Sequence, residues 1–361
     1  MQPFSFIHVA DLHIDSPFRG VTEAESAPAG LAEALYASTF GAFDHLIETT
    51  LEREADFLLI AGDVYDGQDR SLRAQLRLRD GLAQLDEAGV SSFIVHGNHD
   101  PLDSHVSALD WPERAHFFGR KLETLSATGR DGATLAAVSG ISYRSREESR
   151  NLAREFSRQG TELHQIGLLH CNVEGSAGHE NYAPCTLADL RAADLDYWAL
   201  GHVHTRNILS EAPWVVYPGN TQGRSIREQG PRGCYLVQVD EAGRATLEFV
   251  ALDAVRWAEL DVAVDDVETI DALERHLREA IDGLADEAED RAVVCRVRLI
   301  GRGALHGELR REQAIEQLQE RLRERLAGRD PFVWVQRLSA ATQPVVDLEE
   351  RRSGRICWPR Y

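Results

Sequence analysis

The sequence has little that would place it in a membrane or in an oxidising compartment. It contains no apolar run that approaches the roughly 18 to 20 residues needed to span a bilayer. The opening segment MQPFSFIHVADLHI has neither a basic start nor a small-residue cleavage site, so it predicts a first strand rather than a signal peptide. The five cysteines are widely spaced and form no C-x-x-C pair, which disfavours a disulfide framework. We therefore expect a cytoplasmic protein without a membrane association.

Lysine is also scarce, and acidic residues outnumber basic ones. Lys121 is the only lysine among 39 basic residues, and 59 acidic residues give a formal net charge of −20. A generally basic surface is therefore excluded, although carboxylates that hold divalent cations would account for part of the negative charge. Any contact with DNA should be local and made by arginines, which can bind phosphate in a bidentate manner. The net charge by itself neither supports nor excludes a nucleic-acid substrate.

The first part of the chain alternates short apolar strands with amphipathic helices. Strands are predicted at Phe4–Ala10, Phe57–Ala61 and Ser92–Val95, with helices over 31–55 and 70–88 between them. Strands that are apolar throughout are typical of an α/β sheet that is covered on both faces.

After residue 116 the strand-like segments become denser, which predicts a second sheet stacked on the first with helices outside. The predicted strands are 122–126, 134–141, 164–170, 197–200, 214–217, 233–239 and 245–251. Helices are predicted near 146–158 and 186–193.

A further β-α-β-α-β pattern begins near Val255. Its strands are WAELDVAV, VVCRVRLIG and FVWVQRL, and its charged helices cover 267–287 and 311–327. Such a unit can bury one face of a small sheet and stand as a domain of its own. The sequence thus predicts a domain over 1–254, a small α/β accessory domain over 255–340 and an irregular tail over 341–361.

Five short polar blocks stand where predicted strands give way to loops. They are Asp11-Leu12-His13, Gly62-Asp63-Val64-Tyr65-Asp66, Gly97-Asn98-His99-Asp100, His170 and Gly201-His202-Val203-His204. In α/β folds ligands bind at the carboxyl ends of the strands, so these side chains can converge on one point. Each block alone is compatible with an ordinary turn, and their shared position is what predicts a common site.

The residue types of these blocks favour one kind of metal chemistry. The candidate ligands are Asp11, His13, Asp63, Asn98, His170, His202 and His204. A mixed set of oxygens and imidazoles without thiolate suits Mn²⁺, Fe²⁺ or Zn²⁺. Seven ligands exceed the needs of one tetrahedral zinc, but they suffice for two metals if one carboxylate bridges. Two ions about 3.5–4 Å apart are a recurring arrangement for hydrolysing phosphate esters.

The blocks D-L-H, G-D-V-Y-D, G-N-H-D, H and G-H-V-H resemble the motifs of the calcineurin-like metallophosphoesterases. A closer resemblance, to DNA repair exonucleases of the SbcD and YhaO type, rests on F-I-H-V-A-D-L-H-I-D, L-L-I-A-G-D-V-Y-D, F-I-V-H-G-N-H-D and D-Y-W-A-L-G-H-V-H. It is strong over residues 4–255 and holds only in outline beyond them. The resemblance implies a four-layer αββα sandwich, in which two mixed sheets are flanked by helices, followed by a small C-terminal α/β domain.

The resemblance also implies a role for each residue of the site. The first metal would be held by Asp11, His13 and His204. The second metal would be held by Asn98, His170 and His202. Asp63 would bridge the two ions, which would be Mn²⁺, with Fe²⁺ or Zn²⁺ as alternatives, and which would supply a bridging hydroxide. His99 would face the substrate and protonate the leaving oxygen, and Asp100 would orient His99 or only cap the following turn.

The function implied by the resemblance is that of a metal-dependent DNA exonuclease, with endonuclease activity as a further option, in DNA repair. A phosphatase or cyclic-nucleotide phosphodiesterase would use the same metals, and a non-catalytic scaffold that binds DNA ends is a third alternative. The extra domain favours a polymeric substrate. Expected partners are DNA, an SMC-like ATPase of the SbcC or YhaN kind and a second copy of the chain. The closing segment RRSGRICWPRY is short and irregular for an ATPase-docking helix, which leaves that partner open.

Two further features have alternative interpretations. The segment Pro218–Arg224 is either an ordinary turn or a loop beside the metals, with Asn220 or Arg224 near a phosphate. A basic cluster could follow a DNA backbone or form the polar face of a helix. That cluster consists of Arg144, Arg146 and Arg150.

Overall fold

A computed structural model describes residues 1–18, 31–67, 70–104, 107–160, 163–175 and 180–345 of the chain. The chain divides into two compact units, and the division falls between Ala254 and Val255. Most of the predicted tail, residues 346–361, lies outside the described residues. Within the described part of the chain, no helix is long and apolar enough to cross a membrane.

The first unit contains two mixed sheets. Its strands are β1 (Phe4–Val9), β2 (Phe57–Ala61), β3 (Ser91–Val95), β4 (Ala115–Phe117), β5 (Glu123–Thr128), β6 (Thr134–Gly140), β7 (His164–His170), β8 (Tyr197–Gly201), β9 (Asn207–Glu211), β10 (Trp214–Tyr217), β11 (Gly233–Val239) and β12 (Ala245–Ala251). Its helices are α1 (Leu31–Glu52), α2 (Leu72–Glu87) and α3 (Leu187–Ala192).

Each sheet contains four neighbouring parallel strands, with antiparallel strands on one side of them in the first sheet and on both sides in the second. The first sheet has the order β12-β11-β1-β2-β3-β4, with β1 to β4 parallel and β11 and β12 antiparallel to their neighbours. The second has the order β5-β6-β7-β8-β10-β9, with β6, β7, β8 and β10 parallel. The carboxyl ends of β1, β2 and β3 in one sheet and of β7 and β8 in the other are the ends that precede the predicted polar blocks.

Apolar side chains fill three layers of the first unit. Between the two sheets lie Phe6, Leu59, Phe93, Val138, Ile166 and Tyr197. Outside the first sheet, α1 and α2 contribute Phe43, Leu46, Leu78 and Leu82. Outside the second sheet lie Leu190 of α3, Leu152 and Trp198. Each of these large side chains contributes roughly 1.5–3 kcal/mol by leaving water. The resulting α-β-β-α order confirms the predicted four-layer sandwich.

Capping residues define the starts of two of the helices that cover the sheets. Ser71 caps α2 by accepting a hydrogen bond from the backbone N–H of Ala74 at 3.0 Å. Thr186 and Asp189 form a reciprocal capping box at the start of α3. These caps satisfy N–H groups that a helix leaves unpaired at its first turn.

The second unit is a small α/β structure. Its strands are β13 (Val255–Ala263), β14 (Ala292–Ile300) and β15 (Val333–Ala340), and its helices are α4 (Ile270–Glu287), α5 (His306–Leu309) and α6 (Ala314–Leu326). The three strands are parallel in the order β13-β14-β15, as expected for strands joined by helices. One face of the sheet packs on buried side chains that include Leu273, Leu277, Leu318 and Leu322.

One local prediction is wrong, and two strands were not predicted. The helix predicted over 146–158 is only a 3₁₀ turn, Leu152–Glu155, because the carboxylate of Glu148 accepts the backbone N–H of Arg150 at 3.0 Å and competes with helical bonding. The strands β4 and β9 were not expected. Both lie at sheet edges and are only partly buried, so they lack the apolar pattern that reveals a central strand.

Candidate metal centre

The polar blocks that follow five strands meet in one place between the two sheets. Asp11, Asp63 and Asn98 follow β1, β2 and β3, whereas His170 ends β7 and His202 follows β8. All five are buried, since none has more than 6% of its surface exposed. Parallel strands end at the same edge of a sheet, and the two sheets bring these edges together.

The backbone at this edge is strained in a way that turns the side chains inward. Asp11, His13 and Asp63 have φ values of 52°, 45° and 50°, and His202 has 105°. Residues other than glycine rarely adopt such values, and these conformations cost of order 1–3 kcal/mol each. Two hydrogen bonds hold the first two residues, from Asp11 N to Gly62 O at 3.0 Å and from His13 N to Asp63 O at 3.1 Å.

Two glycines are required because the chain segments approach each other closely. A Cβ on Gly97 would lie 2.3 Å from Oδ1 of Asp63, and a Cβ on Gly201 would lie 1.9 Å from the carbonyl oxygen of Ala61. Both distances are far below van der Waals contact. The glycines that open the G-N-H-D and G-H-V-H blocks therefore make room for the centre itself.

The first group of donors contains Asp11, His13 and His204. Nε2 of His13 lies 3.2 Å from Nε2 of His204. Nε2 of His204 lies 3.9 Å from Oδ1 of Asp11. One donor atom from each of these residues lies within 4.8 Å of the others, which is a spacing that a single cation can fill.

The second group is formed by Asn98, His170 and His202, with Asp63 beside it. Oδ1 of Asn98 lies 3.1 Å from Nε2 of His170 and 3.2 Å from Nδ1 of His202. Oδ2 of Asp63 lies 3.4 Å from Nε2 of His170. Asp63 also forms a close group of donors with Asp11 and His170, which places it between the two groups.

In His170 and His202, the ring nitrogen that points away from Asn98 faces a backbone carbonyl oxygen. Nδ1 of His170 lies 2.9 Å from Ala61 O, and Nε2 of His202 lies 2.8 Å from Glu180 O. A carbonyl can only accept, so these two nitrogens carry the hydrogen. When both rings are neutral, as they must be to bind a metal, the nitrogens that point inward are unprotonated, and two lone pairs face Oδ1 of Asn98, another acceptor. Without a cation, burial lowers the pKa of His170, but the neighbouring Asp63 outweighs burial and raises this pKa to about 9, so His170 is then protonated. A cation among these acceptors resolves their repulsion, and the donor set therefore fits a divalent metal.

The electrostatics of the centre agree with this fit. Burial lowers the pKa of His13 to about 3, which keeps that imidazole neutral, as a metal ligand must be. Burial raises the pKa of Asp11 to about 6 even though His170 and His204 act in the opposite direction. Burial also disfavours an ionised Asp63, but His170, together with His13 and His99, outweighs burial and holds the pKa of Asp63 well below its usual range. A buried pair of carboxylates in this state is compensated when cations bind.

His99 lies at the edge of the centre, with a third of its side chain exposed. Its backbone N–H donates to Oδ1 of Asp63 at 2.9 Å, and its Nδ1 lies 3.0 Å from the carbonyl oxygen of Asp66. Its side chain is 33% exposed, in contrast to the buried ligand candidates. Nδ1 is therefore the donor to Asp66, and Nε2 is the nitrogen available to a substrate.

Asp100 does not contact His99 in the described residues. Its carboxylate accepts from the backbone N–H of Gly97 at 2.8 Å and of Val64 at 3.0 Å, and it lies 3.3 Å from Nδ1 of His96. The predicted contact through which Asp100 would orient His99 is thus not formed, because the carboxylate points back into the loop. Asp100 instead holds the two loops that carry Asp63 and Asn98.

The segment Pro218–Arg224 lies beside the first group of donors. Asn220 N donates to His204 O at 3.3 Å, and Nη2 of Arg224 lies 3.4 Å from Nδ1 of His204. The prediction of a loop beside the centre therefore describes the structure better than an ordinary turn. Two arginines of the predicted basic cluster form ion pairs with acidic side chains. Arg144 lies 3.5 Å from Asp103, and Arg150 pairs with Glu148 and Glu155.

Comparison with known proteins identifies the fold that carries this centre. Residues 4–206 match the calcineurin-like phosphoesterase family. The chain belongs to this family. Residues 257–343 of the phosphoesterase match a second family, the middle domain of the metallophosphoesterase YhaO.

Individual relatives extend the similarity over most of the phosphoesterase. It is 36% identical to the uncharacterized metallophosphoesterase YhaO of Bacillus subtilis (strain 168) over 347 residues, which are 95% of this chain and 83% of that protein. It is 25% identical to the DNA double-strand break repair protein Mre11 of Aeropyrum pernix, over 79% of this chain and 70% of that protein. It is 21% identical to a subunit of the nuclease SbcCD of Staphylococcus saprophyticus, over 70% of this chain and 70% of that protein.

These matches confirm the resemblance that the motifs predicted. The phosphoesterase is a hydrolase of phosphoester bonds, and its fold implies divalent metals, for which the structure offers several groups of donors. The similarity to the Mre11 and SbcD proteins is distant.

The sequence did not reveal two acidic residues that touch the histidines of the phosphoesterase. Oδ1 of Asp66 lies 3.2 Å from Nδ1 of His13, and Oε1 of Glu228 lies 2.7 Å from Nδ1 of His204. Asp66 lies in the G-D-V-Y-D block together with Asp63, but a role was predicted only for Asp63. Glu228 follows a segment without a recognisable pattern, and only the path of the loop brings it to His204.

Proposed function

We propose that the chain hydrolyses phosphodiester bonds of DNA, as an exonuclease that can also act as an endonuclease, in DNA repair. The observation that carries this proposal is the convergence of seven predicted ligands beside a partly exposed histidine, His99. The names of two relatives add the substrate class, because Mre11 is a DNA double-strand break repair protein and the SbcCD relative belongs to a nuclease.

Two divalent cations, Mn²⁺ in this proposal, would be held by the two groups of donors with Asp63 shared between them. When bound, they would neutralise the phosphate and activate water. The chain's own part is to keep the donors in place and away from bulk water. Most of the donors are buried, and the close approach of chain segments at Gly97 and Gly201 leaves the loops little room to move. Fixed donors need no rearrangement at the moment of reaction, which lowers the barrier.

His99 would deliver the proton that the leaving oxygen of the phosphodiester requires. Its Nδ1 is engaged by the carbonyl of Asp66, so that Nε2 is the atom that faces the substrate. A proton given by a positioned imidazole typically accelerates such a step by about 10²–10⁴-fold. The backbone bond from His99 to Asp63 ties the proton donor to the centre, so the reacting groups keep a constant separation.

The test compares polymeric and small substrates with the same protein. We expect Mn²⁺-dependent shortening of 3′-labelled linear duplex DNA, and no such shortening by the His99→Ala variant. The same preparations are assayed with bis-p-nitrophenyl phosphate, p-nitrophenyl phosphate and cyclic nucleotides. Hydrolysis of the small esters alone would contradict the DNA substrate and favour a phosphatase or cyclic-nucleotide phosphodiesterase. DNA-end binding without hydrolysis of any substrate would favour a scaffold.

The proposal also covers the roles of the two domains, the partners of the chain and its location in the cell. We assign the nuclease to residues 1–254 and an accessory role to residues 255–340, with an SMC-like ATPase and a second copy of the chain as partners beside DNA. The SbcCD relative is named as one part of a larger nuclease, which supports a partner protein. The free, buried cysteines Cys171, Cys185, Cys234 and Cys295 are in keeping with a reducing cytoplasm. Co-purification with the ATPase and light scattering of the purified chain test the two partners.

A further inference from the structure

The two histidines of the first donor group are backed by carboxylates that lie outside the predicted ligand set. Nδ1 of His204 forms a hydrogen bond of 2.7 Å with Oε1 of Glu228, whereas Nδ1 of His13 lies 3.2 Å from Oδ1 of Asp66, at ion-pair distance but without hydrogen-bond geometry. In each ring this is the nitrogen opposite to Nε2, and the two Nε2 atoms lie 3.2 Å apart on the inner side. The carboxylates therefore contact the side of each imidazole that faces away from the centre.

Arg224 joins the two carboxylates. Its Nη1 donates to Oδ1 of Asp66 at 2.6 Å, and its backbone N–H donates to Oε2 of Glu228 at 2.7 Å. Its Nη2 also lies 3.7 Å from Oε1 of Glu228. One guanidinium thus lies between two acids, and it offsets negative charge that would be costly to keep beside a buried site.

The surrounding loop holds this arrangement in place. Nδ2 of Asn220 donates to Oε2 of Glu228 at 3.1 Å. Nη1 of the buried Arg232 donates to Oδ1 of Asn220 at 3.0 Å and to the carbonyl oxygen of His204 at 2.5 Å. Only 15% of the Glu228 side chain is exposed. The carboxylate therefore has few alternative positions and keeps its contact with His204.

The second donor group is built differently. The outer nitrogens of His170 and His202 meet backbone carbonyls, those of Ala61 and Glu180, which are neutral. A carboxylate behind an imidazole fixes the tautomer and makes the ring a stronger base than a neutral carbonyl does. Asp11 adds a negative charge to the first group, whereas the corresponding oxygen of the second group belongs to the neutral amide of Asn98.

We propose that Asp66, Arg224 and Glu228 form a positioning bridge, which we call the carboxylate–arginine bridge, that holds His13 and His204 in the metal-binding tautomer. The bridge acts on the metal site of Asp11, His13 and His204 and leaves the site of Asn98, His170 and His202 to its backbone carbonyls. The inference rests on the proposed metal centre, and it does not depend on the nature of the phosphoester.

The test measures metal binding rather than turnover. The full chain is stripped of metal with a chelator and titrated with Co²⁺ and with Mn²⁺ by calorimetry, and the visible spectrum of the Co²⁺ form reports the ligand geometry. Wild type should bind two ions. Glu228→Gln keeps the size of the side chain but removes its charge, and it should weaken one of the two sites by about 10- to 100-fold and alter the Co²⁺ spectrum. Glu228→Asp, which keeps a carboxylate, should recover part of the affinity.

A second variant and a matched control keep the test decisive. Asp66→Asn should weaken the same single site, and it serves in place of Glu228→Gln should that variant not fold. Glu148→Gln is the control, because Glu148 is also buried and paired with an arginine, Arg150, yet contacts no predicted ligand among the described residues. The control should bind both ions as wild type does.

The outcomes separate this inference from the proposed function. Two tight sites in both Glu228→Gln and Asp66→Asn would overturn the bridge, and so would an equal loss at both sites in either folded variant. A wild-type chain that binds two ions and cuts no DNA would instead overturn the proposed nuclease activity and leave the bridge standing.

Discussion

Oδ1 of Asn98 lies 3.1 Å from Nε2 of His170, although Asn98 follows a strand of the first sheet and His170 ends a strand of the second. Asp63 also reaches across, since its Oδ2 lies 3.4 Å from the same nitrogen. The metal centre therefore exists only when the two sheets are packed, and metal binding and folding should stabilise each other.

The two donor groups should differ in how much they depend on single residues. Asp63→Asn should weaken the binding of both ions, because Asp63 lies between the groups, whereas Asn98→Ala should remove only one ion. Metal content after dialysis, measured by mass spectrometry of the metal, gives the number bound per chain. Addition of a chelator to wild type should lower the melting temperature, and Mn²⁺ should restore it. Retention of two ions by Asp63→Asn would contradict the bridging position.

His99→Ala should separate metal binding from turnover. His99 contacts the centre through its backbone N–H to Asp63, a bond that alanine keeps, so we expect two bound ions. Hydrolysis of DNA should fall by about 10²–10⁴-fold because the proton donor is lost. Metal analysis and a nuclease assay on the same preparation check both halves. Loss of the metals in this variant would show that His99 is a ligand.

Gly201→Ala should destabilise the fold and the centre together. The added Cβ would lie 1.9 Å from the carbonyl oxygen of Ala61, so the two sheets would have to move apart. We expect a loss of about 1–3 kcal/mol in the free energy of unfolding, together with weaker metal binding. The matched control is Gly283→Ala in the exposed part of α4, where a Cβ meets nothing within 4 Å. That change should stabilise the helix by up to about 1 kcal/mol, and urea denaturation compares the two.

His8 should make the stability of the protein depend on pH. Burial lowers its pKa from 6.5 to about 3 in the folded state, despite a bond to the carbonyl of Leu200. Between these values the unfolded chain binds more protons, so the free energy of unfolding falls as the pH falls from about 6.5 towards about 3. The contribution of one such group is at most about 1.4 kcal/mol per pH unit.

His8→Gln removes this contribution. The variant loses the contacts of His8 with Tyr197 and Leu200 and should be less stable than wild type at pH 7.5. The difference between the two proteins should shrink at pH 5, as measured by urea denaturation at both pH values. The exposed His276→Gln serves as the control and should show a constant difference. If the difference in the free energy of unfolding between wild type and His8→Gln did not change with pH, a neutral, buried His8 would be contradicted.

Much of the framework could be predicted from local patterns. The strands β2 and β7 were predicted with their observed bounds. In β2, FLLIA, every side chain is apolar, which is the pattern that a strand buried on both faces requires. The edge strands β4 and β9 carry no such requirement and were missed. The predicted helix at 146–158 failed because a single carboxylate, Glu148, bonds the backbone locally, an effect that periodicity does not register.

The sequence alone predicted the candidate metal ligands, because ligand chemistry and strand-end position are both local properties that residue order records. The pairing of those residues across the two sheets was decided by the tertiary structure. So was the role of Glu228, which reaches His204 from 24 residues away along the chain. Only the structure shows that Asp100 binds the backbone of Gly97 and that the carbonyl of Asp66 is the partner of the His99 ring. Hydrogen-bond partners depend on the paths of loops to within an ångström, and no pattern of residue types specifies a path at that scale.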